Sequence, residues 1–234
     1  MTPFLVTYRA ADGIATIAMD DGRKNVLSPD MFAALAAALD RAEAERAVVL
    51  LTGRAHDVFS AGFDLTVLRA GGDAAARMVR TGFELAERML AFPTPVVVAC
   101  TGHALAMGAF LMLAADYRLG ATGAYKIGVT EVALGITMPF FGVEICRQRL
   151  APAYFHRAVV NAEVFAPADA VAAGFLDRIV PGDELAAAAR EVATALTRLD
   201  AGVHAATKRR ARGPALAAVR AAIEADADMF QPAR

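Results

Sequence analysis

Residues 94–116 read TPVVVACTGHALAMGAFLMLAAD, and how this stretch is read decides the fold. Pro93 and Pro95 break the preceding chain. Val96–Val97–Val98 follows as an apolar β-branched run, the pattern of a strand covered on both faces. Thr101–Gly102–His103 is read as a tight turn, and Ala104 to Ala115 as a helix that is apolar on every side and so buried. A buried strand entering a buried helix through a glycine aims unpaired backbone N–H groups at one point, where the helix dipole adds partial positive charge. Such a point can hold an anion, or a carbonyl oxygen that is becoming one. Taken alone, the stretch reads first as an ordinary strand–helix unit of an α/β core.

Upstream, Phe4–Tyr8 and Ile14–Met19 alternate in hydropathy around Asp12–Gly13, a β-hairpin signal. Ser28–Pro29–Asp30 opens a helix with a capping hydroxyl, a proline in the first helical position and an acid in the first turn. Val48–Val49–Leu50–Leu51 is a buried strand closed by Thr52–Gly53, and the loop His56 to Leu65 follows it directly. Asp73 to Leu90 is a helix with Val79, Phe83, Ala86 and Leu90 on one face. This ββαβ opening lacks the GxGxxG loop of a dinucleotide fold.

Downstream, Tyr117–Leu119 and Ala124–Ile127 are short strands. The loop Gly128 to Gly135 carries a lone carboxylate, Glu131, in apolar company. Helices are expected over Pro152–Asn161, from Ala166 to Gly174, over Asp183–Leu199 and over Pro214–Met229, with a strand at Phe175–Val180. The αβ segment, residues 1–181, and the helical segment, residues 182–234, are not clearly separable domains.

A chain of 234 residues fits one α/β domain with a helical appendage. Its hydrophobic content is 57%, but no run reaches the roughly 18 apolar residues of a membrane span. Surplus apolar surface is better explained by a subunit interface. The net charge of -1 argues against a nucleic-acid binder. No secretion signal is legible in MTPFLVTYRAADG, so a cytoplasmic location is expected. Cys100 and Cys146 lack metal-type spacing and read as buried, reduced thiols. Lys208–Arg209–Arg210 with Arg212 reads as a solvated helix face, or as a contact for a phosphate-bearing ligand.

Three pieces then stand in order: FSAGFDL at 59–65, GHALAMG at 102–108, and Glu131 followed by Leu134–Gly135. Together they resemble the crotonase superfamily, the enoyl-CoA hydratase/isomerase fold, from the hairpin to about Pro181. Val164–Pro181 is similar to the helix–strand element that follows the family's active site. The resemblance implies an α/β spiral of ββα units whose C-terminal helices build trimers, often paired into hexamers. It implies an acyl-CoA substrate and neither metal nor separate cofactor, coenzyme A being part of the substrate. The two backbone N–H groups that hold the thioester carbonyl fall on Phe63 and Met107, the latter where the family usually has glycine. Lys24 and Val26 fall where the family's loop meets the adenine of CoA, and Lys208 where the tail would meet its phosphate.

The family's hydratases use two glutamates. One falls on Glu131; the other would fall on position 110, which is Phe110 here. Adding water across a double bond needs a carboxylate pair to orient the water and manage its proton. Moving a double bond from Δ3 to Δ2 needs one base, with its pKa raised by apolar surroundings. LGITMPFF at 134–141 looks more like the Δ3,Δ2-enoyl-CoA isomerase branch. Phe140 and Phe141 beside Phe110 would make a dry acyl pocket, though plain core packing serves as well for these rings. His103 is expected to be structural, Asp64 a helix cap, and Glu144 a surface acid or a displaced second acid. The expected reaction is enoyl-CoA isomerisation, with an altered hydratase or a non-catalytic acyl-CoA-binding protein as alternatives.

Overall fold

Asp12 and Gly13 both take positive φ, 54° and 74°, as a hairpin turn matched to strand twist requires. They join β1 (Val6–Ala11) to β2 (Ile14–Met19) as an antiparallel pair, with Ala11 opposite Ile14 and Val6 opposite Met19. The computed structural model describes residues 5–53 and 57–227. Phe4, His56 and Met229, expected at the ends of elements, lie outside the described residues. From the hairpin the chain continues through β3 (Val26–Leu27), α1 (Pro29–Ala44), β4 (Val48–Gly53), β5 (Asp57–Ser60), β6 (Gly62–Phe63), α2 (Leu65–Ala70) and α3 (Gly72–Ala91). Then come β7 (Val96–Cys100), β8 (Gly102–Leu105), α4 (Met107–Ala114), β9 (Tyr117–Ala121), β10 (Ile127–Gly128) and a tight turn over Val132–Leu134. The chain closes with α5 (Phe140–Arg147), α6 (Pro152–Val159), α7 (Pro167–Ala173), β11 (Arg178–Val180), α8 (Leu185–Leu196) and α9 (Ala201–Ala225).

The main sheet runs β1-β2-β4-β7-β9-β11, and every pair after the hairpin is parallel. Side chains alternate across it, so Val48, Leu50, Val97 and Ala99 share one face with Leu119 and Ala121, and α8 covers them through Leu185, Ala189 and Ala193. Val49, Leu51, Val96 and Val98 enter the larger core on the other face. Both faces are covered, which is why β4 and β7 read as continuous apolar runs rather than alternating ones. The helix at Ser28 begins as expected, with the Ser28 hydroxyl accepting the Met31 N–H at 3.2 Å. Among the described residues no helix is long and apolar enough to cross a membrane.

Several elements differ from the sequence reading. The stretch read as a loop after β4 holds β5 and β6, the strand expected at Ala124–Ile127 is only Ile127–Gly128, and that expected at Phe175–Val180 starts at Arg178. Residues 102–105 are not a turn and helix start but a strand, β8, which lies between β5 and β10 in a second parallel sheet. The N–H groups of Ala104 and Ala106 bond to the carbonyls of Lys126 and Gly128 at 3.1 Å each, so the helix cannot open before Met107. Gly102 is required there because a Cβ would fall 2.0 Å from the Asp57 carbonyl carbon.

The last helix does not begin at Pro214. It runs unbroken from Ala201 to Ala225, capped by the Asp200 carboxylate on the Val203 N–H, with Pro214 inside it. A mid-helix proline costs roughly 3 kcal/mol, and tertiary contacts on both sides of it offset that cost. Lys208 and Arg212 bind Asp116 on one side, while Leu216, Val219 and Ile223 join the core on the other.

Candidate active site

Phe63 is held by a network of short polar contacts. The Asp21 carboxylate accepts the N–H groups of Arg23, Asn25 and Val26 at 2.8 Å each. Asn25 is fully buried and strained at φ 49°, and its amide donates to the Phe59 carbonyl at 3.1 Å. The Ser60 hydroxyl donates to the Asn25 carbonyl at 2.7 Å and accepts the Gly62 N–H at 3.1 Å. These contacts lock β3 to β6. The Asp64 N–H bonds the Leu27 carbonyl at 3.3 Å. Successive N–H groups of a parallel strand alternate sides, so that of Phe63 is turned away from β3. Asp21, Asn25 and Ser60 were not singled out from the sequence; a buried Ser or Asn in an extended segment gives no periodic signal. Lys24 is exposed and Val26 half-buried on the same loop. Asp64 caps α2 as expected, accepting the Thr66 N–H at 2.8 Å.

Met107 opens α4, and its N–H lies in the first turn, where no intrahelical acceptor exists. Gly62 takes φ 92°, and a Cβ there would meet Ala106 Cβ and Leu105 O at 3.0 Å and Met107 N at 3.3 Å. The two segments carrying Phe63 and Met107 therefore touch. Gly108 allows the same closeness one residue on, since its Cβ would fall 2.7 Å from Ser60 Cβ. The helix behind this point is buried along its whole length.

Glu131 precedes the tight turn that ends at Gly135 in the left-handed region. It is only 7% exposed, and its Oε2 has no hydrogen-bond partner among the described residues. Burial pushes its pKa up to about 7, against the pull of the Thr130 and Glu131 backbone N–H groups. Glu131 borders a cavity of about 330 Å³ shared with Ala61, Phe63, Ala106 and Phe110. Thr130 is the other polar residue of that lining; the rest is apolar, supplied by α2, α3, β8 and the segment from Ala133 to Pro139. Among the described residues lining the cavity, Glu131 alone carries an ionisable side chain. The arrangement suits moving a proton beside a carbonyl whose oxygen is held by main-chain donors.

The three phenylalanines part company. Phe110 lines the cavity, and Phe141 stands edge-on to it at 5.5 Å, buried one layer behind. Phe140 is 62% exposed and borders a different, shallow cleft with Glu144. Its backbone N–H and that of Phe141 are held by the Asp226 carboxylate at 3.0 and 2.8 Å. That distant carboxylate caps α5, whose buried face holds Phe141, Ile145 and Cys146 and leaves Phe140 outside. Glu144 pairs with Arg147 at 3.3 Å on the outer side of α5 and is no second acid of this cavity.

Lys208 also faces elsewhere. Its Nζ lies 2.6 Å from Asp116 Oδ2, and the side chain is 4% exposed. Burial draws its pKa down to about 8 despite the neighbouring carboxylate. Arg212 joins it, 3.0 Å from Asp116 Oδ1, and donates to the carbonyls of Leu90, Ala114 and Ala115 at the ends of α3 and α4. The spacing of four puts both cations on the inner face of α9, so Lys208 is withdrawn as a phosphate ligand and α9 is stapled to the core. His103 Nδ1 accepts the Lys126 N–H at 2.9 Å, a structural role. Cys100 and Cys146 are buried free thiols.

Residues 9–233 match the family model described as enoyl-CoA hydratase/isomerase. Among solved structures, that of the Mtb enoyl-CoA isomerase is 44% identical, with a TM-score of 0.92 over 97% of this chain and 99% of that one. The mouse mitochondrial enoyl-CoA delta isomerase 1 is 30% identical over 194 residues, 81% of this chain and 67% of that protein. A probable enoyl-CoA hydratase, EchA17, of Mycobacterium tuberculosis is 31% identical over 180 residues, 74% of this chain and 67% of that protein.

Proposed function

The chain belongs to the enoyl-CoA hydratase/isomerase family, and within it we propose that the protein moves the double bond of an acyl-CoA from Δ3 to Δ2 with Glu131 as its one base. The observation that carries this is the cavity lining, in which Glu131 is the sole ionisable residue among those described and Phe110, at the position where the resemblance puts a second acid, is apolar. The thioester oxygen lies against the N–H groups of Phe63 and Met107. Glu131 takes a proton from the carbon beside the carbonyl. The two N–H groups and the α4 dipole stabilise the dienolate oxygen, and Glu131 returns the proton two carbons further along. Among the described residues the carboxylate has no partner on Oε2 to turn it away from either carbon. Apolar walls exclude a water that would add across the bond.

Lys24 and Val26, on the loop beside Phe63, are proposed to meet the adenine end of CoA. The exposed Val132 and Val160 border one apolar groove with Val159. We read that groove as an interface between copies, in keeping with a homotrimer or hexamer, to be checked by sedimentation.

The test is a pair of assays on one preparation: conversion of a 3-enoyl-CoA to its 2-enoyl ester, and hydration of crotonyl-CoA. Isomerisation without hydration, lost in Glu131→Gln, is expected. Hydration at an ordinary enzymatic rate overturns the one-base reading. Silence in both assays with CoA esters still bound makes the chain a binding protein.

A further inference from the structure

Two cavities meet at α3. The first, of about 330 Å³, is the one that holds Glu131; the second, of about 270 Å³, lies between α3 and the end of α9. Val79 and Phe83 border both, so these two side chains are the partition between them. Behind the partition, Ala76, Ile223 and Ala227 supply apolar lining, and Asp73, Arg77, Arg80 and Asp226 supply charged groups.

The partition is stiff. Phe83 is 2% exposed, stacked on Phe141 at a ring separation of 4.2 Å and edge-on to Phe63 at 6.1 Å. Val79 is 3% exposed and β-branched on a helix, which leaves it essentially one rotamer. Gly82, between them, lets α3 approach closely, because a Cβ there would fall 2.7 Å from the Phe63 ring and 2.8 Å from that of Phe32. A ligand in the first cavity cannot push this wall aside without unstacking aromatic rings from the core. Ligand pockets span about 300–1,000 Å³, so the first cavity is at the small end of that range.

We propose that Val79 and Phe83 are the end stop for the acyl chain, restricting the protein to short-chain acyl-CoA esters, with the second cavity as unused space behind the stop. This rests on the acyl-CoA reading above and adds the substrate class to it. Each methylene that does not fit is expected to cost about tenfold or more in kcat/KM.

The experiment measures kcat/KM for 3-enoyl-CoA esters from hexenoyl to dodecenoyl. In parallel, it measures dissociation constants for the saturated esters of the same lengths by calorimetry. Val79→Ala joins the cavities and should raise kcat/KM about tenfold for the first length that the native protein rejects. Val79→Leu should move the drop to shorter chains. Ala76→Leu, placed in the Val79→Ala background, should fill the second cavity and remove the gain. If Val79→Ala and Val79→Leu each scale every chain length alike, the end stop is overturned, and so it is if affinity has no dependence on length. A length limit that moves in the binding series without any isomerisation sustains the end stop and overturns the isomerase reading alone.

Discussion

Replacing Glu131 by glutamine should shift the stability of the folded protein relative to native by an amount that becomes more favourable as pH rises. Burial holds the carboxyl of Glu131 protonated to about pH 7, whereas its ordinary value is 4.5. Between those limits the unfolded chain has released this proton and the folded chain has kept it, so rising pH favours unfolding through this group. Above pH 7 both forms are ionised and the penalty is complete. The interval, at about 1.4 kcal/mol per pH unit, amounts to about 3 kcal/mol. Glutamine occupies nearly the same volume and does not titrate. Any fixed cost of burying its amide cancels when one pH is compared with another. Urea unfolding of both proteins at pH 5 and pH 8, at one protein concentration, should therefore show the stability of Glu131→Gln relative to native rising by about 2–3 kcal/mol. A difference that stays constant across that range would mean the carboxyl is solvated like a free side chain, and the desolvated-base argument would fail with it. The same substitution should abolish isomerisation, a site made less stable by the group its chemistry needs.

Three further outcomes follow from the geometry. The kcat/KM of the native protein should fall about tenfold per pH unit below pH 7 and level off above it, because only ionised Glu131 accepts a proton; a limb near pH 4.5 would contradict the burial of this carboxyl. Lys208→Met should destabilise the fold by about 3 kcal/mol or more in denaturant titration, since Asp116 loses one of two cations, while CoA-ester affinity stays at the native value. Weakened CoA binding there would restore Lys208 as a phosphate ligand. Asp226→Ala should cost about 1–2 kcal/mol in unfolding experiments by uncapping α5, and Asp226→Asn only a fraction of that; equal losses would show that the cap at Phe140 and Phe141 is immaterial.

Much of this molecule was legible locally. The Asp12–Gly13 hairpin, the Ser28 cap, the doubly covered strands at Val48 and Val96, and the helix face of Val79 and Phe83 all follow from backbone sterics, hydrogen-bonding groups and side-chain periodicity within a few residues. The loop that carries Glu131 was legible through the family resemblance, which rests on its order after the two glycine-bearing motifs. Contacts between segments far apart in the chain decided the rest. Residues 102–105 are a strand because β5 and β10 offer them hydrogen bonds, although their composition suits a helix. α9 passes through Pro214 because Asp116, far away in the chain, draws Lys208 and Arg212 inward. Phe140 and Phe141 are adjacent in sequence and part in space, since α5 buries the face of Phe141, Ile145 and Cys146 and neighbouring helical residues point about 100° apart. The pKa of Glu131 likewise depends on desolvation by walls drawn from α2, α3, α4 and β8. Burial is a sum over neighbours distant in sequence, so the family resemblance could nominate Glu131, and only the tertiary structure shows it among the apolar walls that raise its pKa to about 7.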